Sequence, residues 1–307
     1  MRVLVTGASG FVGRHLVEAL RRENAAVVAC GGPNDGSEYV KIDLRDADSL
    51  QSAVGAARPD VVFHLAAQSF VPAAVASPVS TYDVNILGTA RLAEAVRTCT
   101  GDVSPRFIFA SSAEVYGPRE PHDYPLHEAL ERRPVNPYGA SKASAELMLL
   151  ADAHAFGLDV VIARGFNQVG PGQSERFVVP SLATQLAGIA GGAEPQMYVG
   201  NLGAARDFLD VRDAVEAYLT LARRGEGAQI YNVCSGRAVT VRDVLRELIS
   251  IARVAVEVRE DPARMRAGET MLSVGSPAKV RDATGWQAHI PLKQSLEDIY
   301  EHARAHL

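Results

Sequence analysis

Short apolar stretches alternate with longer segments in which apolar residues recur every three or four positions, as far as about residue 165. The short stretches predict strands, and the longer segments predict helices with one apolar face. The predicted strands are 3–5, 26–29, 39–42, 61–65, 107–110 and 160–164, and the predicted helices are 10–23, 46–57, 78–97 and 136–156. Because the strands are apolar almost throughout and alternate with helices, we predict an α/β fold with a doubly wound parallel sheet buried on both faces.

The pattern loosens after residue 165, where glycine and proline interrupt the segments at 170–173, 191–192 and 200–203. Such residues mark turns and loops. We predict a first domain over residues 1–165, to which part of 205–235 returns. A smaller, interleaved C-terminal domain over residues 166–307 is expected to fold over the open end of the sheet.

Composition and charge exclude several classes of protein. With 307 residues, 47% hydrophobic and 22% charged, the chain is predicted to be globular with ample material for a core. A net charge of −5 without a basic stripe argues against nucleic-acid binding. Cys30, Cys99 and Cys234 are too widely spaced for a disulfide framework and are interpreted as buried apolar residues. No segment is typical of a signal peptide or a membrane span, so a cytoplasmic location without membrane contact is expected.

Three glycines follow the first predicted strand: Gly7, Gly10 and Gly13, in Thr6-Gly-Ala-Ser-Gly-Phe-Val-Gly13. Between a strand and a helix, this spacing permits a tight turn, a close backbone approach to a pyrophosphate and close packing of helix on sheet. The helix N-terminus then presents free N–H groups to the phosphates. The loop therefore predicts a dinucleotide site in a Rossmann-type sheet, and a glycine-rich turn without a ligand is the alternative.

The residue that would select the dinucleotide is missing from its expected place. An acid at the end of the second strand holds the ribose hydroxyls of NAD, and an arginine nearby accepts the 2′-phosphate of NADP. Here the strand runs Val27-Val-Ala-Cys30-Gly-Gly32 and ends in neither, so the choice between NAD and NADP stays open. Asp43, after the third strand, is placed to meet an adenine amino group or, alternatively, to lie at a helix N-terminus.

Tyr138 and Lys142 lie four residues apart in a predicted helix that begins near Pro137. Residues four apart share a helix face, so the lysine can approach the tyrosine hydroxyl. A phenol, with a pKa of roughly 10, ionises near neutral pH only if a nearby cation favours the charged form. Following a dinucleotide loop, the pair indicates proton transfer coupled to hydride transfer.

With these motifs, several further segments resemble the extended short-chain dehydrogenases/reductases (the NAD-dependent epimerase/dehydratase type) that act on nucleotide-activated sugars. The resemblance covers essentially the whole chain and includes Asp43-Leu44, His64-Leu-Ala-Ala-Gln68, Asn85-Ile-Leu-Gly88, Ser111-Ser-Ala-Glu-Val-Tyr-Gly117 and Arg206-Asp-Phe-Leu-Asp-Val211. The branch of GDP-mannose 4,6-dehydratases and GDP-4-keto-6-deoxy-D-mannose reductases is the most similar in Arg164-Gly-Phe-Asn-Gln-Val-Gly-Pro-Gly-Gln173, Val199-Gly-Asn-Leu-Gly203 and Asp261-Pro-Ala-Arg-Met265. The reductases within it are similar in Tyr231-Asn-Val-Cys-Ser-Gly236.

The resemblance implies hydride transfer between a nicotinamide and C4 of a hexose, while Tyr138 exchanges a proton with the sugar oxygen. Lys142 would lower the pKa of Tyr138 and hold the nicotinamide ribose, and Ser112 would hydrogen-bond the same sugar oxygen. The alternative for Ser112 is a strand-end hydroxyl that bonds the backbone. The implied contacts of NAD or NADP are Gly7, Ser9, Gly10, Phe11, Val12, Gly13, Asp43, Leu44, Leu65, Ala66, Ala67, Tyr138 and Lys142.

Ala113 bears on which reaction is expected. Many related sugar 4,6-dehydratases have an acid directly before the glutamate of this run, and it helps to expel the C6 hydroxyl while the glutamate removes the C5 proton. A methyl group cannot protonate a leaving water, so Ala113 favours ketone reduction to GDP-D-rhamnose or its C4 epimer, although Glu114 remains. Glu114 either contacts substrate or is a helix-edge carboxylate. Dehydration or epimerisation with tightly bound NAD(P), and non-catalytic dinucleotide sensing, are the alternatives.

The resemblance also implies where the substrate and a second subunit would bind. Arginine side chains suit the oxygens of a nucleotide diphosphate, although Arg206 has the alternative of pairing with Asp207 or Asp210. The implied substrate contacts are Gln68, Ser112, Glu114, Asn167, Val179, Arg206 and Arg264, with no metal ligand. The helices 78–97 and 136–156 would pair across a two-fold axis into a homodimer with a four-helix interface.

Overall fold

A seven-stranded parallel sheet forms the centre of the computed structural model, which describes residues 1–99, 104–265 and 270–307. The strands of the described residues are β1 (Arg2–Thr6), β2 (Ala26–Gly31), β3 (Val40–Lys41), β4 (Val61–His64), β5 (Arg106–Ser112), β6 (Val160–Gly165), β7 (Asn167–Val169), β8 (Gln196–Val199), β9 (Ala205–Asp210), β10 (Gln229–Val233), β11 (Ala238–Thr240), β12 (Glu257–Glu260) and β13 (Leu272–Ser273). The large sheet has the order β10-β6-β5-β4-β1-β2-β3, and all its pairs are parallel. The strand order reverses at β1 and β4, so the carboxyl ends of these strands flank a crevice suited to a ligand.

Helices cover both faces of this sheet. The helices of the described residues are α1 (Phe11–Arg22), α2 (Ala47–Ala57), α3 (Val71–Ala76), α4 (Pro78–Tyr82), α5 (Gly88–Cys99), α6 (Pro137–Phe156), α7 (Val178–Ala190), α8 (Val211–Arg224), α9 (Val241–Ala252), α10 (Ala278–Thr284) and α11 (Leu292–Ala305). Successive strand residues face opposite sides, so Val3 and Val5 of β1 pack with α1 and α8, while Leu4 packs with α2, α5 and α6. Two separate cores therefore sandwich the sheet.

A small lobe, formed by α7, α9, α11 and the short strands β7–β9 and β11–β13, has a core of its own. Its central strand β9 pairs antiparallel with β11 and parallel with β13 and β7, while β8 pairs with β12. The strand β10 then leaves the lobe and pairs with β6 in the large sheet. This return supports the interleaved domain division, which itself stays a prediction.

The predicted α/β fold class is confirmed, and the predicted strands lie within two residues of the observed ones. The helix predicted over 78–97 is helical throughout, but a π-helical turn at Asp83–Leu87, which the sequence analysis did not predict, lies between α4 and α5. This turn directs the Asn85 side chain inward, where its Oδ1 accepts the N–H of Gln68 at 2.8 Å. The Asn85 Nδ2 donates to Gln68 O and to Ser141 Oγ, each at 2.9 Å. Such turns occur where a side chain must be redirected toward a functional site.

Two smaller predictions can be compared with the structure. Cys30 and Cys234 are fully buried, as predicted, whereas Cys99 at the end of α5 is only half-buried. Within the described ranges, none of the helices combines the length and apolar character that crossing a bilayer requires.

Candidate active site

The glycine loop between β1 and α1 is shaped by close backbone contacts. Gly7 has a φ of +71°, in the left-handed region, and a Cβ there would lie 2.7 Å from the backbone nitrogen of Ala66. A Cβ on Gly13 would lie 2.0 Å from the carbonyl oxygen of Gly7. Two other predicted cofactor contacts, Leu44 and Leu65, belong to the cores on opposite faces of the sheet. The structure therefore brings the glycine loop and the segment after β4 together.

The N-terminus of α1 is suited to an anion. Gly10 is its N-cap and supplies no side-chain hydrogen bond, and the first turn contains no acidic residue. The N–H groups of Phe11, Val12 and Gly13 lie at helix positions that have no intrahelical acceptor. Together with the positive end of the helix dipole, they fit the pyrophosphate of a dinucleotide.

Two acids follow the second and third strands, and one of them, Asp35, was missed by the sequence analysis. Asp43 accepts two hydrogen bonds from the Arg45 guanidinium, at 2.7 and 3.0 Å, and these lower the pKa of the carboxyl. Asp46 caps α2, so the helix-terminal alternative for Asp43 is wrong, and its adenine contact stays a prediction. Asp35, in the loop after β2, accepts a hydrogen bond from the Ser9 hydroxyl.

The Tyr138 hydroxyl lies against Ser112, where the first turn of α6 meets the end of β5. Ser112 lies close enough to act on the pKa of Tyr138, and Ser112 Oγ accepts the N–H of Glu114 at 3.2 Å. The backbone role considered for Ser112 is therefore present. Burial raises the pKa of Tyr138, and the nearby Glu114 and Tyr218 raise it further against the effect of Ser112. The phenol is thus protonated at neutral pH.

Lys142 lies one turn further along α6 and is almost fully buried. Its Nζ donates to the carbonyl oxygen of Ala110 at 2.7 Å and lies 4.7 Å from the centre of the Phe109 ring. The causes that set the pKa of Tyr138 are burial, Ser112, Glu114 and Tyr218, and an effect of Lys142 on this pKa stays a prediction. Burial lowers the pKa of Lys142 itself to about 8, and the Glu146 carboxylate partly opposes this.

Glu114 is held by the residue that caps α6. Its Oε2 accepts a hydrogen bond from Asn136 Nδ2 at 2.7 Å, and Asn136 Oδ1 accepts the N–H of Gly139 at 2.8 Å. Ala113 and Glu114 lie in the 3₁₀ turn Ala113–Val115 and are half-buried. The carboxylate is therefore fixed close enough to Tyr138 to raise its pKa, and its neighbour contributes only a methyl group.

The loop after β4 uses the side chain of Gln68 for its own structure. Its Oε1 accepts the N–H of Phe70 at 2.7 Å, and its Nε2 donates to Thr81 Oγ1 at 3.2 Å. Ala67, which precedes it, is half-buried. A contact of Gln68 with substrate stays a prediction, but the structure already assigns this amide a role in shaping the loop.

The predicted substrate residues of the small lobe differ in their surroundings. Asn167 is exposed at the start of β7. Val179 is buried in the core of the small lobe, and its contact with substrate stays a prediction. Arg264 follows Pro262 in a 3₁₀ turn, is about half-exposed and lies 3.5 Å from Asp261.

The alternative partners of Arg206 are engaged elsewhere. Asp207 accepts hydrogen bonds from the backbone of residues 235, 236 and 275 and from the Ser235 hydroxyl, at 2.6 to 3.2 Å. Asp210 caps α8 and binds the Arg212 guanidinium. Arg206 Nη1 donates to the carbonyl of Ala205 at 3.0 Å. A role in binding a diphosphate stays a prediction for Arg206.

The sequence analysis missed a buried charge cluster beneath the catalytic pair. Glu146, a further turn along α6 from Lys142, accepts hydrogen bonds from Ser111, Arg132 and Arg164. The available signal was the spacing of Tyr138, Lys142 and Glu146, since residues at four-residue intervals share one helix face.

Comparisons with known proteins agree with this geometry. A protein-family profile described as GDP-mannose 4,6 dehydratase matches residues 4–299. A GDP-6-deoxy-D-mannose reductase of Pseudomonas aeruginosa is 40% identical over 299 residues, which cover 97% of this chain and 95% of that protein. The chain belongs to the GDP-mannose 4,6-dehydratase family.

Solved members of the wider fold extend the comparison beyond the GDP-mannose 4,6-dehydratase family. The structure of RMD from Pseudomonas aeruginosa, complexed with NADPH, matches with a TM-score of 0.90 at 38% identity, covering 100% of both chains. A UDP-glucose 4-epimerase of Thermus thermophilus, complexed with NAD, matches with a TM-score of 0.89 at 33% identity and the same coverage. The predicted resemblance to the extended short-chain dehydrogenases/reductases is confirmed, as is a cofactor of the NAD(P) type.

Proposed function

We propose that this protein reduces the 4-keto group of a GDP-linked 4-keto-6-deoxyhexose with NADH or NADPH. The expected substrate is GDP-4-keto-6-deoxy-D-mannose, and the product is GDP-D-rhamnose or its C4 epimer. The proposal is supported by the 40% identity to a GDP-6-deoxy-D-mannose reductase over nearly the whole chain. The observation that carries it is the placement of Tyr138 and Lys142 on α6 beside Ser112 at the end of β5, with Ala113 rather than an acid next to Glu114.

The residues at this site have distinct roles in such a reduction. The nicotinamide, when bound, supplies the hydride. Tyr138 gives its proton to the sugar oxygen as negative charge develops there, and its raised pKa keeps this proton available. Ser112 donates a hydrogen bond to the same oxygen. The Lys142 ammonium would hold the nicotinamide ribose when the cofactor is bound.

The residues next to Ser112 favour reduction over water elimination. Elimination needs an acid to protonate the departing hydroxyl and a base to remove a carbon-bound proton. Ala113 supplies no proton, and the Glu114 carboxylate is bound to the Asn136 amide. We therefore assign Glu114 to fixing the start of α6 and to contact with the hexose.

Dehydration is the second candidate, because Glu114 is retained and the family profile is described as a dehydratase. The purified protein should be incubated with GDP-4-keto-6-deoxy-D-mannose and either reduced cofactor, while nicotinamide absorbance and the product sugar are followed. Consumption of cofactor with formation of a 6-deoxyhexose supports reduction. Conversion of GDP-mannose without net cofactor change would overturn it in favour of dehydration or epimerisation.

The Tyr138→Phe variant tests the proton donor. Removing the hydroxyl should lower turnover by about 10²–10⁴-fold while leaving dinucleotide binding intact. The matched control is Tyr300→Phe, which removes the same group from the core of the small lobe and should leave turnover unchanged. Full activity of Tyr138→Phe would contradict the assignment.

We also propose a homodimer through α4, α5 and α6. Apolar side chains on these helices are unusually exposed, with Val79 at 79%, Leu147 at 57% and Phe156 at 60%. A helix pair with such a face can bury it against a second copy. Sedimentation should give a dimer for the wild type and a monomer for Leu147→Glu. The control Val258→Glu, which alters an exposed residue of the small lobe, should remain dimeric.

A further inference from the structure

The loop after β2 folds back over the end of its own strand. Asp35 Oδ2 accepts the N–H of Gly32 at 2.5 Å and the hydroxyl hydrogen of Ser9 in the glycine loop. A Cβ on Gly31 would lie 2.6 Å from Asp35 Oδ2 and 2.9 Å from Tyr39 Cβ. The glycine at the strand end therefore leaves room for a carboxylate that arrives from further along the chain.

This carboxylate lies where a doubly wound fold distinguishes its dinucleotides. The adenosine ribose lies between the glycine loop and the end of the second strand, where an acid binds its hydroxyls and an arginine accepts a 2′-phosphate. The sequence ends β2 in Gly31 and lacks the acid at its usual position. Asp35 supplies it from the loop, and its bond to Ser9 fixes it against the glycine loop.

Two cations near this loop, Lys41 and Arg14, are bonded to backbone carbonyls, and Arg21 and Arg22 line the cavity beside Glu38 and Tyr39. Lys41 Nζ donates to the carbonyl oxygens of Asp35 and, at 2.7 Å, Gly36. Arg14 donates to the carbonyl oxygens of Ser9 at 2.8 Å and Gly172 at 2.9 Å. A 2′-phosphate bound against the Asp35 carboxylate would meet a like charge.

We propose that Asp35 determines cofactor specificity: its carboxylate binds the hydroxyls of the adenosine ribose and makes the protein select NADH over NADPH. The inference rests on the proposed function only in requiring a dinucleotide at the glycine loop. The expected preference for NADH differs from the structure of RMD, which is complexed with NADPH. One like-charge contact near a protein surface is expected to weaken NADPH binding by roughly 10- to 100-fold relative to NADH.

The test is binding of the two cofactors, measured without any sugar substrate. Dissociation constants of NADH and NADPH should be determined by fluorescence titration of the wild type and of Asp35→Asn. The wild type should bind NADH roughly 10- to 100-fold more tightly, and Asp35→Asn should bring the two affinities within a few-fold of each other. The control Glu38→Gln removes a neighbouring carboxylate that does not bond Ser9 and should keep the wild-type ratio.

Two results would overturn the inference. The first is equal affinity of the wild type for NADPH and NADH. This result does not depend on whether Asp35→Asn folds. The second is a folded Asp35→Asn with the wild-type ratio, which would leave Asp35 with a role in loop structure alone. Selective binding of NADH without reduction of a keto sugar would instead overturn the proposed function and leave this inference standing.

Discussion

Arg164 on β6 and Glu146 on α6 form a two-point ion pair inside the protein: Nε donates to Oε1 at 2.9 Å and Nη2 donates to Oε2 at 2.6 Å. Both side chains are at most 1% exposed. Burial acts to raise the pKa of Glu146, but the hydrogen bonds and charge of Arg164 keep it below its ordinary value. The pair joins the sheet to the helix that carries both Tyr138 and Lys142.

Removal of one partner of this pair should be strongly destabilising, because the other charge stays buried without compensation. We expect Glu146→Ala to lower the free energy of unfolding by about 3–5 kcal/mol, measured by urea denaturation. The control is Glu94→Ala, which breaks the exposed pair with Arg97 and should change little. Equal effects of the two substitutions would show that the buried pair contributes no more than a surface contact.

The pKa of Lys142 predicts an alkaline limit to activity. Since burial lowers it to about 8, the ammonium is present below that pH and is lost as the pH rises through it. We expect kcat/KM to fall up to about tenfold per pH unit above 8. An arginine at position 142 stays charged throughout this pH range, so the activity that remains in Lys142→Arg should not fall above pH 8. A wild-type profile that stays flat to about pH 9.5, or the same fall in the arginine variant, would contradict the assignment.

His64 predicts a loss of stability in acid. Its Nδ1 lies 2.7 Å from Thr6 Oγ1 and its Nε2 lies 2.9 Å from Thr89 Oγ1, and the ring is fully buried. Burial and the charge of Lys142 lower its pKa from 6.5 to about 3, so between these values the unfolded chain takes up a proton that the folded protein does not. The free energy of unfolding should therefore fall below pH 6.5, by at most about 1.4 kcal/mol per pH unit.

The His64→Phe variant isolates this effect. It should be less stable at pH 7.5, because two threonine hydroxyls lose a partner, but its stability should depend less on pH between 6.5 and 5. Thermal unfolding of both proteins across this range gives the comparison. Parallel curves would mean that other groups cause the acid sensitivity.

Two glycines give a matched test of the cofactor loop. Gly13→Ala places a Cβ 2.0 Å from the carbonyl oxygen of Gly7 and should abolish dinucleotide binding, measured by fluorescence titration. Gly55→Ala, inside α2, meets nothing within 4 Å and should keep binding intact. It should also raise the free energy of unfolding by roughly 0.5–1 kcal/mol, because alanine has less conformational freedom to lose. Dinucleotide binding that is retained in Gly13→Ala would exclude the proposed dinucleotide site at the glycine loop.

The parts of the molecule that local patterns determine could be predicted from the sequence. The strands of the large sheet, the glycine loop and the Tyr138/Lys142 spacing depend on residues close together in the chain. The acid at the ribose end could not be predicted, because Asp35 reaches the end of β2 only when the loop folds back to Ser9. The local sequence around Asp35 is typical of an ordinary turn.

Other features could not be predicted because residues distant in the chain decide the local structure. The π-helical turn at Asp83–Leu87 depends on Asn85 meeting Gln68 and Ser141, which no helical periodicity reveals. The burial of Val179 depends on the packing of α7 in the small lobe, which its local sequence does not show. Burial is the largest cause of the raised pKa of Tyr138, and it depends on packing that helix periodicity does not reveal.

The pairing of β6 with β10 has a consequence for the growing chain on the ribosome. Strand β6 ends at Gly165, but its partner spans Gln229–Val233 and is made only after β7, α7, β8, β9 and α8. Until β10 is made, the nascent chain carries an unpaired strand edge at β6. The sheet therefore cannot be completed in the order of synthesis, and chains that stop short of β10 are expected to be the aggregation-prone products of this protein.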